Sequence, residues 1–149
     1  MFLMNQLEKY YSEDIFRNHT EFVLLEYLQH ELLDSLYKYK GSEYLSFMGG
    51  TAIRIVYESY RFSEDLDFDN FGLAFPDFED LAQEAVKDME QKGFEVEFRN
   101  VEKGAYHCYI KFPRLLYEND LSGHSDRKVL IRIDATAKDP HVTPRNFIL

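Results

Sequence analysis

Three aspartates alternate with two apolar residues in "DLDFD", residues 65–69, and no other stretch of the chain is better equipped for chemistry. In an extended strand, side chains two positions apart share a face and stand about 7 Å apart along the chain. Asp65, Asp67 and Asp69 are therefore expected on one face, with Leu66 and Phe68 buried on the other. Two carboxylates ~6 Å apart repel by about 2–3 kcal/mol at an effective dielectric of roughly 20. A solvated edge tolerates that cost. A divalent cation relieves it, and hard oxygen donors suit Mg²⁺ or Mn²⁺. The same alternation occurs in "FEVEF" with Glu95 and Glu97, where nothing nearby resembles a site, so the pattern alone also describes the wet face of an ordinary strand.

What precedes the aspartates sharpens the expectation. Gly49 and Gly50 join a short apolar strand, "YLSFM" (44–48), to a helix expected over "TAIRIVYE" (51–58) with Thr51 as its N-cap. Glycine permits a tight turn and close approach to the backbone, and the N–H groups of a helix start suit a phosphate. A phosphate cradle followed by carboxylates able to hold a cation provides the two parts that phosphoryl transfer needs. Arg54, Arg61, Lys128 and Arg132 could neutralise phosphates, or serve as ordinary surface charges. His107 lies within a strand pattern and is expected to pack or hydrogen-bond. The loop with Ser122, His124, Ser125 and Asp126 holds the letters of a triad but no nucleophile turn.

The elements that must position these groups can be read from periodicity. Residues 4–17 and 20–39 read as two amphipathic helices, the second with Val23, Tyr27, Leu28, Leu32 and Leu36 at helical spacing. Residues 78–92 read as a helix that buries Leu81, Ala82, Ala85, Val86 and Met89, capped by Asp77 and stopped by Gly93. Three strands are expected at 94–100, 105–112 and 128–135, with Pro113 ending the second and the polar loop "ENDLSGHSD" before the third. In "KVLIRIDA", Val129, Ile131 and Ile133 form one face and Lys128, Leu130, Arg132 and Asp134 the other. Helices first, then a sheet with an inserted helix, indicate an α/β or α+β domain with two extra N-terminal helices.

The 149 residues fit one domain, 1–149, large enough to bury a core without staples. Apolar residues make up 45% and charged residues 30%, the balance of a globular chain and not of a disordered one. No apolar run approaches the ~20 residues of a membrane helix. The start, "MFLMNQLEKYYSED", lacks a basic region and a cleavage site, and Cys108 is the single cysteine, so a cytoplasmic location is expected. A net charge of −10 disfavours bulk DNA or RNA binding over the whole surface and favours a cationic partner.

The run "GGTAIRIVYESYRFSEDLDF" resembles the signature of the AbiEii/AbiGii-type nucleotidyltransferases, toxins of type IV toxin–antitoxin and abortive-infection systems within the polymerase-β-like superfamily. The family pattern is a Gly-Gly or Gly-Ser pair, a short helix, then Asp-x-Asp on the next strand, and Gly49, Gly50, Asp65 and Asp67 match it. Arg61, Phe62 and Ser63 sit as in the family's "RFSxDLDF" run. The resemblance implies a polymerase-β-like core, a mixed sheet flanked by helices. It implies transfer of a nucleotidyl group from an NTP to an RNA (tRNA) or protein acceptor, and a cognate antitoxin as partner. Gly49, Gly50, Thr51, Arg61 and Ser63 would bind the nucleotide, and Asp65 and Asp67 would hold Mg²⁺ or Mn²⁺. The superfamily uses a third carboxylate on a neighbouring strand, and Asp134 is the candidate, with a plain strand-end aspartate as its other reading. Asp69 falls outside the pattern. Family members also carry a helical C-terminal half with a lysine and further acidic motifs, and this chain ends at "TPRNFIL", about where that half is expected to begin. Two other functions fit the residues: a noncatalytic nucleotide- or partner-binding module, and an α/β domain with an acidic strand edge.

Overall fold

The computed structural model describes residues 4–48, 65–120 and 128–137. Their framework is a five-stranded mixed sheet built from β1 (Leu45–Met48), β2 (Leu66–Asn70), β3 (Glu97–Glu102), β4 (Ala105–Phe112) and β5 (Val129–Thr136). The strand order is β1-β2-β5-β4-β3, and only the central β2–β5 pair is parallel. The helices are α1 (Glu13–Asn18), α2 (Thr20–Leu36), α3 (Phe75–Gln91) and the single turn α4 (Leu115–Glu118). This is the fold class expected from the sequence, a mixed sheet with packed helices.

Helices α2 and α3 lie against each other, α2 reaching β5 and α3 reaching β3 and β4. Between helices and sheet sits the core. Leu24, Leu28 and Leu32 from α2 and Phe78, Ala85 and Met89 from α3 are buried there. The sheet contributes every second residue: Leu66 and Phe68 from β2, Cys108 and Ile110 from β4, Ile131 and Ile133 from β5, each at most 1% exposed. Phe47 is paired with Phe68 in the β1–β2 ladder, their rings 5.4 Å apart. Tyr37, just past α2, sets its ring tilted against Phe68 at 6.3 Å and donates its hydroxyl to the Leu45 carbonyl at 2.9 Å. Burial pushes that phenol up to about 12, so it stays a donor.

Several boundaries differ from the sequence expectation, each for a local reason. The first helix is two pieces, a 3-10 helix (Met4–Tyr10) and α1, because Ser12 accepts from the Ile15 N–H and starts a new helix. Helix α2 ends at Leu36, with Tyr37 as its C-cap. Helix α3 starts at Phe75, so Asp77 lies in its first turn and Ala74 is the N-cap. Pro76 explains this: its fixed φ and missing N–H suit a first helical turn. Gly93 does end α3, at φ +101°, with its N–H on Glu90 and the Phe94 N–H on Met89. Phe94 is thereby drawn into the core against Phe112, and β3 starts three residues later than expected, leaving Glu95 outside the strand. The expected helix over 51–58 lies outside the described residues.

One polar knot ties α2 to α3. Asp88 is 8% exposed and accepts from Ser35 Oγ at 2.6 Å and from Lys38 Nζ at 3.1 Å. Lys92 Nζ donates to Ser35 Oγ at 2.8 Å and to Asp34 at 3.0 Å, and pairs with Glu31 at 3.0 Å. The Ser35 hydroxyl, then the lysines, hold the Asp88 carboxyl below its ordinary value against the pull of burial. Replacing Asp88 by Ala strands the fully buried Ser35 hydroxyl, and urea unfolding should report a loss of about 1–3 kcal/mol. Because the folded carboxyl titrates below its unfolded value, its contribution is complete above the ordinary carboxylate range and is lost as pH falls through the depressed folded value. The stability gap between wild type and Asp88→Ala should therefore narrow on acidification.

Candidate active site

Strand β2 alternates as its sequence requires. Leu66, Phe68 and Asn70 face the core, and Asp65, Asp67 and Asp69 lie half-buried on the opposite side. Asn70 ends the strand: its side chain donates to the Leu73 carbonyl at 2.8 Å and accepts from the Gly72 and Leu73 N–H groups, a closed turn into α3. Strand β5 alternates in phase, with Ile131, Ile133 and Ala135 inward and Arg132 and Asp134 on the aspartate side.

The parallel ladder pairs Asp67 directly with Asp134, and the antiparallel ladder pairs Asp134 with His107. One row across the sheet thus reads Met48, Asp67, Asp134, His107, Val101. Asp134 is held on both oxygens: His107 Nδ1 lies 2.6 Å from Oδ1, and Arg132 Nε donates to Oδ2 at 2.8 Å. Arg132 Nη2 donates to Asp65 Oδ2 at 3.1 Å, so one guanidinium bridges carboxylates of two strands. Asp134, then Asp65, raise the arginine's pKa in return. Asp67 forms neither a hydrogen bond nor an ion pair with any described residue. Burial, then Asp134, then Asp65 push its carboxyl above the ordinary value, and Arg132 offsets only part of that.

Of the sequence-derived site residues, the fold brings together Asp65, Asp67 and Asp134. Asp69 lies on the same face but across from Ser46, one row away. Gly49, Gly50, Thr51, Arg54, Arg61, Ser63 and the 122–126 loop residues lie outside the described residues. Two partners were not legible as such. Arg132 and Asp134 share a face two residues apart, a signal that the sequence does carry. The His107 contact arises from strand register, and no local pattern announces it.

The donor set is chemically suited to a divalent cation: carboxylate oxygens on one face, where Asp67 has no partner among the described residues and carries like-charge repulsion that Arg132 only partly offsets. The present arrangement does not preorganise three ligands. Among the described residues no group of three or more His, Cys, Asp or Glu side chains is set to hold a metal ion. In this arrangement His107 and Arg132 hold the two oxygens of Asp134, and Arg132 also bonds one oxygen of Asp65.

Comparison with curated proteins finds no match. Among solved structures, a putative nucleotidyltransferase from H. pylori is 17% identical, with a TM-score of 0.48, over 75% of this chain and 45% of that one. JHP933 from Helicobacter pylori is 14% identical, with a TM-score of 0.48, over 76% of this chain and 44% of that one. The chain spans less than half the length of either structure. The model of the family described as "Nucleotidyl transferase AbiEii toxin, Type IV TA system" matches residues 31–148, which include every strand of the sheet and all three clustered aspartates. The chain belongs to the AbiEii nucleotidyltransferase toxin family.

Proposed function

We propose that this chain is the metal-dependent nucleotidyl-transfer core of a type IV toxin, moving a nucleotidyl group from an NTP to a hydroxyl of an RNA or protein acceptor, with a cognate antitoxin as its protein partner. The observation that carries this reading is the β2–β5 register, which sets Asp67 beside Asp134 and two residues from Asp65. Asp65 and Asp67, with Asp134, would hold Mg²⁺ or Mn²⁺. Attack of the acceptor hydroxyl on the α-phosphorus breaks its bond to the β-phosphate oxygen and releases pyrophosphate, and the ion would supply Lewis-acid stabilisation of charge on the phosphoryl oxygens. The chain's own groups do the rest. Gly49, Gly50 and Thr51 cradle the triphosphate through backbone N–H groups, and Arg61 and Ser63 add side-chain donors. Asp134, oriented by His107, accepts the proton of the attacking hydroxyl. No helix among the described residues is long and apolar enough to cross a membrane.

A second reading has its own observation. The Arg132 bridge offsets part of the charge on Asp65 and Asp134 without any metal, as a noncatalytic binding module or a plain acidic face would need.

Mn²⁺-dependent transfer from labelled NTP to total RNA and to total protein separates the two. Wild type should label one acceptor class, and Asp67→Asn should lower the rate by about two orders of magnitude or more. Labelling that survives the substitution would remove Asp67 from the chemistry. Mg²⁺ or Mn²⁺ should also raise the melting temperature of wild type and leave the Asp65→Asn/Asp67→Asn double variant unmoved. At the proposed cradle, Gly50→Val should weaken NTP binding while circular dichroism stays near wild type, and Gly50→Ser should bind normally. Normal NTP affinity in the valine variant would make that turn a turn only.

A further inference from the structure

Arg132 stands on the central strand of the sheet with Asp134, between the strands that carry Asp67 and His107. Its guanidinium forks across a strand boundary, Nε on Asp134 and Nη2 on Asp65, at 2.8 and 3.1 Å. A planar fork of this kind fixes two oxygens at once, which a lysine ammonium cannot do in the same geometry. Asp67, between those two carboxylates on the same face, is left without a partner from the described residues. A divalent ion on Asp67 and either neighbour would sit within a few ångströms of the guanidinium, where like charges repel strongly. The arginine side chain is 42% exposed, so it has room to leave. Asp134 is 17% exposed and stays anchored by His107 when the arginine goes.

We propose that Arg132 is the resident counter-ion of the carboxylate site, seated on Asp65 and Asp134 when no metal is bound and displaced when a divalent cation enters. It lowers metal affinity and holds the metal-free carboxylates together, so that metal loading is an exchange of one cation for another. This rests on the metal-binding reading above, and the two can fail separately.

The test is Mn²⁺ binding to the full chain by calorimetry, with no nucleotide, in wild type, Arg132→Gln, Arg132→Lys and Asp65→Asn/Asp67→Asn. Arg132→Gln should bind Mn²⁺ on the order of tenfold tighter or more, because the competing charge is gone. Its metal-free melting temperature should fall, and its Mn²⁺-induced rise should exceed that of wild type. Arg132→Lys keeps the charge and should stay closer to wild-type affinity than Arg132→Gln. Unchanged or weaker Mn²⁺ affinity in Arg132→Gln, with binding still abolished in the double aspartate variant, overturns the counter-ion role and leaves the metal site standing. No Mn²⁺ binding in either wild type or Arg132→Gln overturns both. Should Arg132→Gln fail to fold, the Nε–H resonance of Arg132 in the wild-type protein decides: it should shift as Mg²⁺ saturates the site, and a resonance that stays in place overturns the exchange.

Discussion

Strand β2 runs parallel to β5 in the register that sets Asp67 beside Asp134, and much of the molecule answers to that pairing. Neighbouring strands stand about 4.8 Å apart. Two carboxylates at that distance repel by roughly 3 kcal/mol at an effective dielectric of about 20. The register holds because the alternative is worse. A slip by one residue would send Asp65 and Asp67 into the core and bring Leu66 and Phe68 out of it. Taking a carboxylate out of water costs several kcal/mol per ion, and losing two buried apolar side chains adds about 1.5–3 kcal/mol each. The apolar face therefore dictates where the acids go, and their repulsion is tolerated as the smaller term.

The tolerance is uneven across the three acids. Asp134 has a hydrogen bond to each oxygen, and Asp65 shares the same arginine. Asp67 bears the remaining repulsion, which appears as a carboxyl pushed upward by burial and by both neighbours. Group shifts of this kind gather at functional sites more often than elsewhere on a surface. The contrast with Asp88 is instructive. That carboxylate is also buried, yet it is held downward by a hydroxyl and two ammonium groups, the signature of an aspartate spent on structure.

The sequence was most legible where one period ran without interruption. Strand β4 falls at the expected residues, 105–112, because "AYHCYIKF" alternates cleanly up to Pro113. The two faces of β5 and the buried stripe of α3 also follow from residue type alone. Legibility failed where a side chain competed with the pattern. Ser12 cut the first helix, Pro76 drew α3 forward past its expected cap, and Phe94 was taken by the helix terminus before the strand could use it. Within the site, the shared face of Asp65 and Asp67 was local information. The pairing of Asp67 with Asp134, and of Asp134 with His107, depends on strand order and register, which join residues far apart in the chain. The Arg132 bridge needed both kinds: a shared face with Asp134 that is local, and a reach to Asp65 that is not.

Overall charge sharpens what the site has to accomplish. A chain of net charge −10 repels a polyanion at a distance, but salt screens that field beyond about 8 Å at physiological ionic strength. Inside that radius local groups decide. Asp65, Asp67 and Asp134 gather three carboxylates on one face, and the Arg132 guanidinium carries a single positive charge, so the acids by themselves make a poor surface for a triphosphate. On the proposed function, a divalent cation that enters this face takes over the neutralisation as Arg132 withdraws from the carboxylates. On that proposal, an arginine that leaves while its aspartates stay in place would let one rigid sheet face keep its acids together and still accept an anionic substrate. The rigidity comes from the apolar side of β2 and β5, and the adaptability from a single long side chain on the other.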